Sequence, residues 1–245
     1  LKRFNADVFV VVAFRMLPEV VWRIPPAGTI NLHASLLPQY RGAAPINHVL
    51  INGETITGVT TFLIDGTIDT GGILLREEVN IGRGDNAGEL HDRLMKYGAR
   101  LVIKTLQGLA ERTVKPLPQS HFTIPGEVLK PAPRIFPDDC FIDWTKDAAT
   151  INNLIRGLSP YPGARTWFKR DENRILFKIF EAEAQEVIHD YAPGTLISDG
   201  RKQLQVACRN GLVKIVTLQP EGKKAMTAAE FLRGIKPADY NIKIS

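Results

Sequence analysis

Thr29-Ile30-Asn31-Leu32-His33-Ala34-Ser35-Leu36-Leu37-Pro38-Gln39-Tyr40-Arg41-Gly42 is the stretch on which the reading of the first half of the chain turns. Its first five residues predict a short strand. Pro38, Arg41 and Gly42 break any period, so the remainder predicts a loop. Residues two apart on a strand project to one face, which puts Asn31 and His33 together at the strand's end. In open α/β sheets, ligands bind outside the carboxyl ends of the strands.

Upstream, Val8-Phe9-Val10-Val11-Val12-Ala13-Phe14 is a continuous apolar run, the pattern of a central parallel strand covered on both faces. Pro18 can open a short helix through Val21. Downstream, Ala43 to Ile51 predicts a helix and Asn52-Gly53 a turn. Gly58 to Ile64 and Ile73 to Ile81 predict strands, with the turn Asp65-Gly66 after the first. Leu90, Leu94, Tyr97, Leu101, Thr105 and Leu109 recur at helical spacing behind the N-cap candidate Asn86. Strands alternating with helices predict an α/β fold with a Rossmann-like, mostly parallel sheet.

Six of the chain's 16 prolines fall between Pro116 and Pro137. Proline fixes its own φ and donates no hydrogen bond, so residues 116–138 read as an extended, Pro-rich linker. Residues 1–115 form the first domain on this reading, and 139–245 the second. The second has one early helix, Ala148 to Leu158. Strand-like pieces follow at Ala164–Phe168, Ile175–Ala184, Gly194–Ile197, Leu204–Ala207 and Gly211–Leu218. That spacing predicts a small OB-like β-barrel.

The 245 residues are 44% hydrophobic and 23% charged, which predicts a folded protein with a substantial core. No apolar run reaches the roughly 18 residues of a membrane span. Cys140 and Cys208 form no paired motif and the five histidines show no ligand spacing, so neither a disulfide framework nor a metal site is expected. A reducing, cytoplasmic location fits. Net charge is +5, but past residue 126 there are 18 basic against 15 acidic residues. An anionic partner would therefore need a local patch, not bulk charge. The chain opens on Leu1 close to a strand, which reads as a start inside a domain.

An amide and an imidazole converging at a strand end can stabilise an oxyanion and move a proton. They can equally be satisfied by nearby backbone. Asp69, in Asp65-Gly66-Thr67-Ile68-Asp69-Thr70-Gly71-Gly72, could bring a carboxylate to the same place. Asp-Gly and Asp-Thr-Gly are also common turn chemistry, and spacing does not separate Asp65 from Asp69.

Asn31 to Gly42, Asn52-Gly53, Thr57-Gly58-Val59-Thr60 and Asp65 to Gly71 together resemble the catalytic domain of the folate-dependent formyltransferases. The resemblance implies Asn31, His33 and Asp69 as the catalytic trio, with a protonated His33 sharing the oxyanion with Asn31. It implies Ser35, Leu36, Leu37 and Pro38 as the lining for the formyl donor, 10-formyltetrahydrofolate, with no metal. Ile142-Asp143-Trp144, Ile155 to Ala164, Gln219 to Lys224 and Ala228 to Gly234 resemble the branch of that family acting on initiator methionyl-tRNA in translation initiation. The resemblance then implies a tRNA-binding second domain and a monomer with no membrane partner. Candidate tRNA contacts are Arg41, Lys130, Arg134, Arg165, Lys169, Arg170, Lys223 and Lys224. A UDP-amino-sugar N-formyltransferase, or a non-catalytic folate- or nucleic-acid-binding fragment, is the alternative. The resemblance also implies that relatives carry more of the sheet before the region aligned with Leu1, so the chain alone is expected to be inactive.

Overall fold

The computed structural model describes residues 1–12, 17–170, 173–234 and 241–243. They divide into two compact units. The first comprises Leu1–Val49, Glu54–Arg83 and Glu89–Arg134; the second comprises Leu50–Gly53, Gly84–Gly88 and Ile135–Ser245.

The first unit is built on a four-stranded sheet in the order β1 (Phe9–Val11), β2 (Thr29–His33), β3 (Ile56–Leu63), β4 (Ile73–Asn80). Three helices belong to this part of the chain: α1 (Glu19–Trp22), α2 (Pro45–Ile51) and the long α3 (Ala87–Ala110). β1 and β2 are parallel, whereas β2–β3 and β3–β4 are antiparallel. The expected α/β sheet is thus mixed among the described strands, not mostly parallel. Only residues 64–72 join β3 to β4. That is too short for the crossover of about a dozen residues that a parallel return needs.

The apolar run at Val8–Phe14 forms only Phe9–Val11, at the edge of this sheet, with Val10 39% exposed. Ala13 and Phe14 lie outside the described residues. Among the described strands β1 pairs only with β2, in parallel.

Alternation along β2 gives each face one job. Leu32 faces α3, where a Cβ on Gly98 would come within 2.6 Å of its Cδ2 atom. On the same face, the β3 hydroxyl of Thr61 lies 2.8 Å from that of Thr105 on α3. Asn31 and His33 therefore face away from the helix, next to Phe62 and Thr60 of β3. The loop after β2 folds over this second face. The Thr60 hydroxyl donates to the Ser35 carbonyl at 2.7 Å and accepts from the Leu37 N–H at 3.2 Å. Leu37 packs with Phe62 and Ile73 in a small core cluster.

Residues 116–134 run along the first unit as an extended strap. Leu117 and Ile73 exchange both backbone hydrogen bonds at 2.8 Å. Phe122 packs against the Leu37 cluster. The missing donors of the prolines limit regular structure here to one short 3-10 turn, Gln119–Phe122.

The second unit is an antiparallel sheet in the order β11 (Asn241–Lys243), β5 (Ala164–Arg170), β6 (Asn173–Gln185), β9 (Gly211–Pro220), β8 (Leu204–Cys208), β7 (Leu196–Ser198); β10 (Met226–Thr227) pairs with β9. Among the described strands the two ends of this order do not pair, so the sheet is an open, OB-like half-barrel. Its core is filled by α4 (Ala148–Gly157), capped by the Asp147 carboxylate on the Thr150 N–H, and by α5 (Ala228–Gly234). Ile151, Ile155 and Leu158 at helical spacing meet Trp144, Phe168, Phe177 and Ile179 in that core.

Gly58 on β3 bears directly on the site loop. A Cβ there would lie 2.3 Å from the Glu77 carbonyl and 2.4 Å from Leu36 Cδ2. Backbone on one side leaves no room to yield. Gly58→Ala should lower stability by about 1–3 kcal/mol in urea denaturation. Gly84→Ala, whose Cβ meets nothing within 4 Å, should stay near wild type. Equal midpoints for the two variants would show that this contact does not constrain the loop.

Candidate active site

His33 is the last residue of β2 and is 6% exposed. Its Nε2 lies 2.8 Å from the backbone carbonyl of Tyr40. A carbonyl only accepts, so Nε2 carries the proton and donates it. Nδ1 lies 3.7 Å from Asp69 Oδ2. Burial lowers the His33 pKa below its ordinary value of 6.5; Asp69 and the Tyr40 carbonyl raise it, but by less. The ring is thus neutral at rest at pH 7, with the Nδ1 lone pair turned toward Asp69. Desolvation outweighs the single nearby carboxylate.

Two residues here adopt left-handed backbone without being glycine. They are Tyr40 at φ +60° and Asp69 at φ +54°. Such conformations cost about 1 kcal/mol or more and persist only when neighbours hold them. The Gly42 N–H donates to Asp69 Oδ2 at 3.0 Å, which aims that carboxylate at the ring. Gly42 is itself at φ +124°, and a Cβ there would meet the Ala132 carbonyl at 2.4 Å. Tyr40 is held by its N–H to the Lys130 carbonyl, 2.7 Å, and by its hydroxyl to Glu54 Oε1, 2.5 Å. The β2 end, the 39–44 loop and the Asp69 loop thus meet at one imidazole. Asp65 serves as a turn residue instead, accepting from the Thr67 N–H and the Thr70 hydroxyl.

Asn31 shares the face of His33, about 7 Å away along the strand. It is 6% exposed, and its side-chain Oδ1 is buried without a hydrogen-bond partner among the described residues. A buried carbonyl acceptor left unpaired is unusual and costs about 1–3 kcal/mol.

The Ser35–Pro38 stretch is mostly interior. Ser35 and Leu37 are fully buried, and the Ser35 hydroxyl is spent on the Gln39 carbonyl at 2.7 Å. Leu36 rests on Gly58. Sequence reading missed Thr60, Tyr40 and Gln119, which hold these loops. Their only sequence signal was a polar residue within an apolar strand for Thr60 and none for the other two.

The basic candidates divide between the units. In the first, Arg41 donates through Nε and Nη2 to Gln119 Oε1, and Lys130 is ion-paired with Glu54 at 2.6 Å. Arg134 is exposed at the end of the strap. In the second, Lys223 and Lys224 are exposed in the turn between β9 and β10. Ala164, Thr166 and Phe168 point into the core, so Arg165, Trp167 and Lys169 point out. The side chain of Arg170 lies outside the described residues. Arg165 stands opposite Lys178 and Lys169 opposite Arg174, with Trp167 between the two rows. Arg174 caps the Trp167 ring at 5.8 Å, and Phe141 stacks on it at 6.2 Å. Among the described residues none of these four cations has an ion-pair partner. Lys178, Arg174 and Trp167 were not singled out from sequence; strand register alone brings them to Arg165 and Lys169.

The family described as "Formyl transferase" matches residues 1–106, and that described as "Formyl transferase, C-terminal domain" matches residues 134–236. The methionyl-tRNA formyltransferase of Flavobacterium johnsoniae is 50% identical over 98% of the chain and 74% of its own length. That of Bacteroides fragilis is 48% identical over 96% of the chain and 72% of its own length. Among solved structures, HypX from Aquifex aeolicus in complex with tetrahydrofolic acid aligns with a TM-score of 0.67 at 20% identity. The alignment covers 92% of this chain but only 38% of HypX. WlaRD, a sugar 3N-formyl transferase, aligns with a TM-score of 0.64 at 21% identity, over 91% of this chain and 77% of its own. At these identities the structural likeness is one of fold. Among the described residues no helix is long and apolar enough to cross a membrane.

The lowered His33 pKa links stability to pH. The unfolded chain protonates this histidine near pH 6.5, whereas the folded one resists until lower pH. Stability should be full above about pH 6.5 and fall as pH drops through the folded pKa. Thermal unfolding of wild type and His33→Gln between pH 7.5 and 5 checks this. The variant should lose part of the pH dependence, and parallel curves would contradict a buried neutral His33.

Proposed function

The chain belongs to the formyltransferase family, in its methionyl-tRNA formyltransferase branch, and on that premise we propose that it transfers the formyl group of 10-formyltetrahydrofolate to the α-amino group of methionyl-tRNA. The products are formylmethionyl-tRNA and tetrahydrofolate, for use in translation initiation in the cytoplasm. The observation that carries the site assignment is the buried Asn31 side chain on the same strand face as the His33–Asp69 pair.

An α-amine has an ordinary pKa near 8, so a usable fraction is neutral at pH 7. Its lone pair attacks the formyl carbon, a C–N bond forms, and the carbonyl π electrons move onto oxygen. Asn31 donates its amide N–H to that oxyanion, a role for which no protein group competes. The amine then sheds a proton to Nδ1 of neutral His33. The resulting imidazolium keeps its Nε2–H on the Tyr40 carbonyl and turns Nδ1–H toward Asp69, which stabilises the new charge. On collapse of the intermediate the bond from carbon to the folate nitrogen breaks, and His33 returns the proton to that nitrogen. No net proton change is needed within the site. Leu36 and the backbone of residues 35–38 would flank the donor, because the side chains of Ser35 and Leu37 are turned inward.

The outer face of β5–β6 is our candidate for the tRNA. Like charges directly opposite each other on neighbouring strands are destabilising. Phosphates would relieve both rows, and Trp167 offers a ring between them. The sugar-nucleotide alternative has no comparable use for this face. Arg41 and Lys130 are less suited to bind phosphate, being engaged by Gln119 and Glu54.

Asn31→Ala in the full-length protein should lower kcat by about a hundred-fold or more while the protein stays folded. Wild-type kcat in a formyl-transfer assay with methionyl-tRNA would remove Asn31 from the oxyanion role. If neutral His33 is the proton acceptor, kcat should fall only as pH drops through the folded His33 pKa, which lies below 6.5, and should not fall as pH rises from about 6.5 to about 8. A loss of rate on that rising limb would mean that the imidazolium is the working form. Arg165→Glu with Lys178→Glu should weaken tRNA binding and flatten its salt dependence by roughly one phosphate per residue. An unchanged salt slope would exclude this face.

A further inference from the structure

The catalytic assignment leaves unexplained one nearly buried polar side chain, Gln119 on the strap, which is 6% exposed. Its Nε2 donates to the Asp69 carbonyl at 2.8 Å and to the Gly71 carbonyl at 3.0 Å. Its Oε1 accepts from Arg41 Nε at 3.0 Å and Nη2 at 2.5 Å. Both donors and both acceptor positions of the amide are used, so its orientation is fixed. Asp69 is held at both ends: its backbone carbonyl by Gln119, its carboxylate by the Gly42 N–H. Arg41 precedes Gly42, and the Arg41 carbonyl accepts from the Ala132 N–H further along the same strap. The strap thus ties together the two loops whose residues meet at His33.

We propose that Gln119 is a positioning residue for the transfer reaction. It keeps Asp69 in its left-handed conformation, with the carboxylate on His33, and fixes Arg41 beside the loop that supplies Gly42 and Tyr40. The proposal rests on the reading of His33 and Asp69 given above. The loop around Asp69 is also anchored by the Gly72 carbonyl, which accepts from the Leu63 N–H at 2.9 Å, and by the Thr70 hydroxyl on Asp65. Among the described residues, however, only Gln119 donates to the Asp69 and Gly71 carbonyls. Without Gln119 both carbonyls lose their donor, and the loop can relax to an unstrained backbone. That relaxation withdraws the carboxylate from Nδ1.

Two substitutions separate positioning from bulk. Gln119→Ala removes all four hydrogen bonds. Gln119→Glu keeps an acceptor for Arg41 but sets a carboxylate oxygen against the carbonyls of Asp69 and Gly71. Both variants of the full-length protein should lose roughly ten- to a hundred-fold in kcat with little change in KM for the folate donor. The second readout is the titration of His33 followed by NMR. Among the described residues, Asp69 is the one charged group acting on this ring, and it raises the pKa. The His33 midpoint should therefore move down in both variants, while their melting temperatures stay close to wild type. A folded variant with wild-type kcat, or with an unmoved His33 midpoint, overturns the proposal. If Gln119→Ala does not fold, Gln119→Glu carries the same two measurements. The titration reads positioning without reference to the reaction. A wild-type protein inactive toward methionyl-tRNA would overturn the functional reading, while the midpoint shift would still decide the role of Gln119.

Discussion

An imidazole taken out of water at the end of β2 governs the rest of the first unit. Once His33 is buried, its charged form is costly, and each neighbour either offsets that cost or exploits it. The Tyr40 carbonyl fixes the tautomer. Asp69 stands beyond hydrogen-bonding range of Nδ1, at 3.7 Å, so the pair is poised and not yet joined. Protonation of Nδ1 would turn a weak contact into a charge-assisted one. A group neutral at rest and stabilised once charged is suited to receive a proton in one step and return it in the next.

Keeping this arrangement takes more chain than His33 and Asp69 themselves. Tyr40 and Asp69 both sit in backbone conformations that are unfavourable for non-glycine residues. They are held through hydrogen bonds to Lys130, Gln119 and Gly42, from segments far apart in sequence. The proline-rich stretch supplies most of these bonds. Prolines restrict the unfolded chain, so an extended strap carrying several of them loses less entropy on docking than a flexible loop would. Its composition therefore suits a fixed clamp as well as it suits a spacer.

This is where sequence reasoning reached its limit. Periodicity located β2, β3, β4, α3, α4 and β5 to β9 of the second unit, because hydrophobic spacing reports local burial directly; the short β10 and β11 carried no such signal. It placed Asn31 and His33 on one face because strand alternation admits no other outcome. It read a mixed sheet as mostly parallel, since strand direction depends on connections and not on composition. Choosing Asp69 over Asp65 needed family resemblance. Gln119 was invisible: a single polar residue in an irregular segment has no periodic signature, and its four partners are fixed only by tertiary structure.

The second unit follows a different electrostatic rule. At His33 the protein removes water and adds one carboxylate, keeping charge low until the reaction creates it. On the outer face of β5–β6 it does the reverse, setting Arg165 against Lys178 and Lys169 against Arg174, with the Arg165 Nε itself buried and unpartnered among the described residues. Neither arrangement improves stability. A buried unpaired carbonyl oxygen and opposed cations both cost free energy that an apolar residue or an acidic neighbour would recover. Phosphates would relieve the second cost, so the face is better suited to an anionic partner than to stability.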